Sequence, residues 1–385
     1  MHFRMPTNSQ LSVNDQKLVI IIAGEPSGDL HASQVVQRLR HKSPEIELEG
    51  MGGDLMESAG VKLLFHIRDS AVMGISEVLN LIPEFLQKQR NLKELIATKK
   101  PSAVVLVDFG DFNLGIAKFA HQLNIPTIYY IPPKAWAWRG KRAEKLAKTT
   151  SIIASIFPFE TEFYRKTGAN VEFVGHPLLD VAQTDFTQAE AQKFIDIAGN
   201  YPVIGLMPGS RRKEIQYLLP MMLEVAQNLL QRIPSCQFIL PLAPGIDRHS
   251  LPNMPFVKIT EGAIYPSIKA ADLILVASGT ATLEATCIGT PMIIVYKVSL
   301  LTWWVIQHFV NLEFSGLPNI IAGRGIVPEL LQDEVTTNQI TAIAIDLLEN
   351  PKQHRKQQKE LKKIAESLGV IGAKKRVADL ILNYL

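Results

Sequence analysis

The sequence predicts an α/β protein made of two Rossmann-like, parallel-sheet lobes facing a central cleft. Three observations predict it. Apolar runs of roughly five residues alternate with helical patterns. The runs end in turns rich in Gly, Pro, Ser and Asp, as strands buried on both faces do. The alternation pauses after His176-Pro177 and then begins again, so it forms two series of similar size.

Taken in order, residues 1–17 are polar and read as a loose tail with no apolar signal-peptide core. The first strand is Leu18–Ala23, ending in Gly24-Glu25-Pro26-Ser27-Gly28-Asp29, and helical spacing follows from Leu30 to Arg40. A short strand, Ile46–Leu48, runs into a glycine-rich turn. Ala103–Val107 ends in Asp108-Phe109-Gly110-Asp111, Thr127–Ile131 in Pro132-Pro133, and Ser151–Ile156 in Phe157-Pro158-Phe159. Residues 18–177 make the first lobe. A helical spacer, Gln183–Gly199, opens the second lobe, residues 178–349. Its strands are Val203–Met207, ending in Pro208-Gly209-Ser210-Arg211, then Phe238–Pro241, Leu273–Ala277 and Met292–Tyr296. Residues 350–385 read as two helices, expected by analogy with other two-lobed proteins to pack back on the first lobe.

Composition narrows the function. The chain of 385 residues is 47% hydrophobic and 20% charged, which excludes a disordered, collagen-like or coiled-coil chain. Lys plus Arg number 40 and Asp plus Glu 37, and a net +3 gives no reason to expect nucleic acid. The two cysteines, Cys236 and Cys287, are far apart, so a disulfide framework or structural zinc is not expected and a reducing, cytoplasmic setting fits. No apolar run reaches the ~18 residues of a membrane span.

The chemistry concentrates at strand ends. Ser278-Gly279-Thr280 lies where a buried strand meets a helix, and small residues there let backbone N–H groups approach a phosphate. Glu284 follows in the first turns and suits a ribose diol; Ala281 stands where a capping box would need Ser or Thr. Ser210 and Arg211 repeat the logic, with a guanidinium fork for a diphosphate. For each segment alone, helix capping and surface charge remain an equal reading. Together they point to a nucleoside diphosphate site without GxxxxGK[ST] or GxGxxG. In the first lobe Asp108 directly ends a strand and is the candidate general base. Glu25 is expected to face the cleft, Ser27 to cap the first helix, and Asp111 to cap the helix beginning near Asn113. His176 reads as a hinge or interior histidine. No cofactor or metal is expected. Two stretches suit a greasy, anionic surface: Met73–Leu86, without Lys or Arg, and Leu300–Val310, with Trp303 and Trp304. Basic runs stand nearby, at Lys134–Lys148 and Arg355–Lys363. Core packing and a solvated helix face are the plainer readings.

Nine ordered segments give the sequence a resemblance: the Gly24–Asp29 turn, Ala71-Val72-Met73-Gly74, Asp108–Asn113, Trp136-Ala137-Trp138-Arg139, Pro158-Phe159-Glu160, Gly175-His176-Pro177, Pro208–Arg211, Ser278–Ala281 and Leu317-Pro318-Asn319. They resemble the lipid-A-disaccharide synthase family. The resemblance implies a GT-B glycosyltransferase that joins UDP-2,3-diacylglucosamine to 2,3-diacylglucosamine 1-phosphate, an acylated glucosamine phosphate acceptor, and releases UDP. It implies work at the inner-leaflet membrane surface and allows a homodimer. Carried over by position, Asp108, Glu25 and Asn319 are catalytic candidates. Ser27, Asp29, Ser210, Arg211, Ser278, Gly279, Thr280 and Glu284 are substrate-binding candidates. Pro26 and Pro132-Pro133-Lys134 depart from the family's pattern on the acceptor side. The alternatives are another GT-B enzyme using a UDP-sugar (a peptidoglycan-type transferase or an epimerase) and a non-catalytic UDP-sugar binder at the membrane.

Overall fold

In the computed structural model, residues 17–385 are described except for 71–74, 139, 198, 200, 299–302 and 304–312. The first lobe contains β1 (Leu18–Ala23), β2 (Glu47–Gly52), β3 (Lys62–His66), β4 (Ala103–Val107), β5 (Thr127–Tyr130), β6 (Ile152–Ser155) and β7 (Val171–Phe173). The second contains β8 (Val203–Met207), β9 (Gln237–Pro241), β10 (Val257–Thr260), β11 (Leu273–Ala277), β12 (Met292–Tyr296) and β13 (Glu329–Leu331). Strand order is β3-β2-β1-β4-β5-β6-β7 in one sheet and β10-β9-β8-β11-β12-β13 in the other. Every pairing is parallel.

The central strands are buried along their whole length, because helices cover both faces of each sheet. Ile20, Ile22 and Leu106 point to one face of the first sheet and Val19, Ile21 and Val105 to the other. The edge strands β3, β7, β10 and β13 carry polar or charged residues and no apolar run longer than three residues, so hydrophobic runs alone do not reveal them.

The terminal helices divide between the lobes. Pro351–Ser367 stays with the second lobe: Leu361 enters its core, and Gln357 accepts from the Met292 backbone at 2.7 Å. Ala373–Leu382 lies against Pro26–Lys42, with Val377, Ala378 and Ile381 in the first lobe's core. The His176 N–H donates to Leu368 at 2.9 Å where the chain crosses back.

Candidate active site

In both sheets the order reverses between the first strand and its neighbour, β1/β4 in one lobe and β8/β11 in the other. The loops leaving such neighbouring strands run to opposite faces, which opens a crevice at the carboxyl ends. The four loops at these two points are Gly24–Ser27, Asp108–Gly110, Pro208–Arg211 and Ser278–Thr280. The strongest sequence candidates are therefore placed there by topology.

Asp108 sits on strained backbone. Asp108 and Phe109 are consecutive non-glycine residues in the left-handed region, at φ 51 and 55. Such residues cost on the order of 1–3 kcal/mol each and persist where neighbours over-determine them. Here the Asp108 N–H donates to the Tyr130 carbonyl at 3.0 Å. Its carbonyl accepts from the Tyr129 hydroxyl and the Asn113 amide, both at 2.8 Å. Tyr129 and Asn113 are fully buried. The turn also sends the Phe109 ring over Gly24, where a Cβ would stand 2.1 Å from the ring.

Burial pushes the Asp108 carboxyl above the ordinary aspartate range, against the pull of the Phe109 N–H and the Lys134 ammonium. Glu25 is also raised, by burial and then by the Asp108 carboxylate, while Arg211 and Lys134 pull it down. Glu25 thus lies in the field of Asp108 on its own lobe and of Arg211 on the other. Lys134, which the sequence marks as a departure and as the start of a basic run, is the counter-charge to both Glu25 and Asp108. Glu160 is buried beside it, with the Trp136 indole donating to its carboxylate at 3.1 Å.

In the second lobe Arg211 is exposed, Ser210 opens the turn into helix Arg212–Arg232, and Gly209 has φ +119. Gly279 and Thr280 are exposed at the start of helix Thr280–Ile288, and open space lies where a Gly279 Cβ would be. Burial raises Glu284, and a hydrogen bond from Tyr265 opposes the rise. Tyr265 carries no motif, so the sequence offers no signal for it.

Several expectations are corrected. Asp29 is turned into the fold. It is 4% exposed, and its carboxylate accepts from the N–H groups of Gly53, Leu55 and Met56 at 2.8–3.2 Å, capping the neighbouring short helix. Asn319 is bonded within the fold in the same way. It is 1% exposed; its amide donates to Val327 and Glu329 and accepts from Ile326 and Val327. Ser278 gives its hydroxyl to the Ser315 carbonyl at 2.9 Å, so only its backbone is at hand. Ser27 is not a cap, because the helix begins at Pro26 behind Glu25; Ser27 is exposed at the cleft end. Asp111 lies inside a helix starting at Gly110 and pairs with Arg142 at 2.8 Å. His176 is buried, with Nδ1 accepting from Leu178, which fits an interior hinge residue.

Beside Glu25 opens a cavity of about 440 Å³ lined by Phe85, Leu86, Phe109 and Phe112. Leu86 is 59% exposed at its edge. Residues 73–82 of the Met73–Leu86 stretch, and nearly all of Leu300–Val310, lie outside the residues whose side chains are described. Among the described residues no helix is long and apolar enough to cross a membrane.

The family model described as lipid-A-disaccharide synthetase matches residues 19–380. A lipid-A-disaccharide synthase of Syntrophus aciditrophicus is 38% identical over 377 residues, covering 96% of this chain and 98% of that protein. One of Geobacter metallireducens is 39% identical over 374 residues, covering 96% and 97%. Among solved structures, UDP-GlcNAc 2-epimerase of Neisseria meningitidis bound to UDP-GlcNAc superposes with TM-score 0.64 at 15% identity, covering 95% of this chain and 100% of that one. MurG of Acinetobacter baumannii gives 0.61 at 14% identity, covering 96% and 99%. These two likenesses show the shared two-lobed GT-B fold.

Proposed function

Since this chain belongs to the lipid-A-disaccharide synthetase family, we propose a division of labour between its lobes for the family's reaction. The protein is a glycosyltransferase of lipid A biosynthesis. In the proposed reaction the glucosaminyl group of UDP-2,3-diacylglucosamine passes to the 6-hydroxyl of 2,3-diacylglucosamine 1-phosphate, and UDP leaves.

The second lobe takes the nucleotide. The backbone N–H groups at Ser210 and at Gly279-Thr280, with the Arg211 guanidinium, receive the diphosphate, and Glu284 accepts from the ribose. Donors aimed at the leaving group favour the transition state, where negative charge grows on it. Asp108 removes the proton of the attacking hydroxyl, so the acceptor oxygen attacks the anomeric carbon opposite UDP with inversion. Glu25 holds the acceptor sugar beside it. The supporting observation is that Glu25, beside Asp108 at one switch point, feels the charge of Arg211 from the other. The phenylalanine-lined cavity beside Glu25 suits an acyl chain of a substrate drawn from the inner leaflet.

The test is UDP release from the purified protein given donor, with and without acceptor, for wild type and Asp108→Asn. The reading expects acceptor-dependent release and a disaccharide of the summed mass. General-base loss lowers turnover by roughly 10²–10⁴-fold, with UDP binding near wild type. Near-wild-type turnover by Asp108→Asn removes the base assignment. Release without acceptor favours an epimerase or hydrolase instead.

A further inference from the structure

The donors assigned to the diphosphate already have a partner. Glu214, three residues into helix Arg212–Arg232, folds back over the helix start. Its Oε2 accepts from the Ser210 N–H at 3.1 Å and the Arg211 N–H at 3.2 Å, and its Oε1 accepts from the Arg211 guanidinium at 3.1 Å. Gly209 makes room for it: a Cβ there would stand 2.3 Å from Glu214 Oε2. One carboxylate thus spans backbone donors and guanidinium as a phosphate would. The start of helix Thr280–Ile288 differs, because nothing stands within 4 Å of a Cβ built on Gly279.

We propose that Glu214 sets the enzyme's hold on the nucleotide: its carboxylate stands in for the diphosphate at Ser210 and Arg211, yields when UDP-sugar arrives, and returns as UDP departs. This rests on the assignment of those two residues to the diphosphate. A displaceable occupant lowers apparent affinity, since ligand binds only the fraction of molecules in which it has moved aside. Glu214 can move, because its side chain is 33% exposed and its hydrogen bonds among the described residues are to this turn. Once displaced, it is an anion beside an anion, and the repulsion favours release of the product. A plain helix-capping role predicts the opposite sign, because losing the carboxylate would free Arg211 from its orientation and weaken nucleotide binding.

Glu214→Gln separates the two roles. Glutamine keeps an oxygen that accepts from the same N–H groups, as capping boxes allow, and drops the charge. The experiment measures UDP affinity by calorimetry and UDP dissociation by stopped flow for wild type, Glu214→Gln and Arg211→Ala. Removing a like charge at this range is expected to tighten UDP roughly tenfold, most of it through slower dissociation. Arg211→Ala is expected to weaken UDP. Equal or weaker UDP binding by Glu214→Gln overturns the proposal and leaves Glu214 as the support of Arg211. Unchanged affinity in Arg211→Ala overturns the diphosphate assignment itself, and the proposal with it.

Discussion

Replacing Glu160 with glutamine gives a measurable stability signature. Glu160 is 1% exposed, and burial lifts its carboxyl from an ordinary 4.5 to about 8, against the bonds from Trp136 and Ile156 and the Lys134 charge. Between those two pH values the folded protein keeps a proton that the unfolded chain has lost. The folded state therefore binds more protons, and stability falls as pH rises through this window. At about 1.36 kcal/mol per pH unit the full loss is roughly 5 kcal/mol, complete by about pH 8. Glutamine does not titrate, so the variant lacks this slope. It has one acceptor oxygen for two donors, the Trp136 indole and the Ile156 N–H, which costs about 1 kcal/mol at low pH. The two stability curves then meet close to pH 5, and Glu160→Gln is the firmer protein above it. The assay is the melting temperature of both proteins from pH 5 to 8, with tryptophan fluorescence as the local probe. Their difference should swing by roughly 7–14 °C over that range. Parallel curves would refute the buried neutral carboxyl and the reasoning built on it.

Two further predictions concern the base. Because burial raises Asp108 while Lys134 opposes it, the acid limb of kcat/KM should lie above the ordinary aspartate range, and Lys134→Met should move it higher; a pH–rate profile with the limb in the ordinary range contradicts this. Gly24→Ala would put a Cβ 2.1 Å from the Phe109 ring, and the ring cannot shift without moving its strained neighbour Asp108. Turnover should fall by at least roughly tenfold with UDP affinity retained, and unchanged kcat would show that the turn tolerates the shift.

The fold was legible wherever a strand is buried on both faces, because such strands are written as unbroken apolar runs. Val203–Met207 and Leu273–Ala277 have the same bounds in sequence and structure. The edge strands were not legible, because Glu329–Leu331 needs no second apolar face and is too short for a pattern. At the site, strand ends identified Asp108, Glu25, Arg211 and the Gly279 turn, since topology brings them to the two switch points. What spacing could not separate was a carboxylate aimed at a substrate from one aimed at its own backbone. Asp29, four residues beyond Glu25, turns inward to three N–H groups, and Asn319 is spent in the same way. The Asp29 bonds reach residues 53–56, and the Asn319 bonds close a loop that no spacing rule marks, so only the folded chain reveals them. Tyr265 bonds to Glu284 without any local mark, and Lys134, read from sequence as part of a basic run, acts through space on Glu25 and Asp108.

The return of helix Ala373–Leu382 to the first lobe has a consequence for how the molecule is born. The first lobe's core contains Leu368, Val377, Ala378 and Ile381, packed against helix Pro26–Lys42. A ribosome that has made residues 18–180 has delivered every strand of the first sheet, but not the helix that closes one side of it. The second lobe, whose strands and covering helices run without interruption from Gln188 to Ser367, can finish first. Domains ordinarily fold in the order in which they emerge. Here the first lobe's core gains its last members, Leu368 to Ile381, only after the whole second lobe has been made, so the face of helix Pro26–Lys42 that they cover is the last surface of that core to be closed.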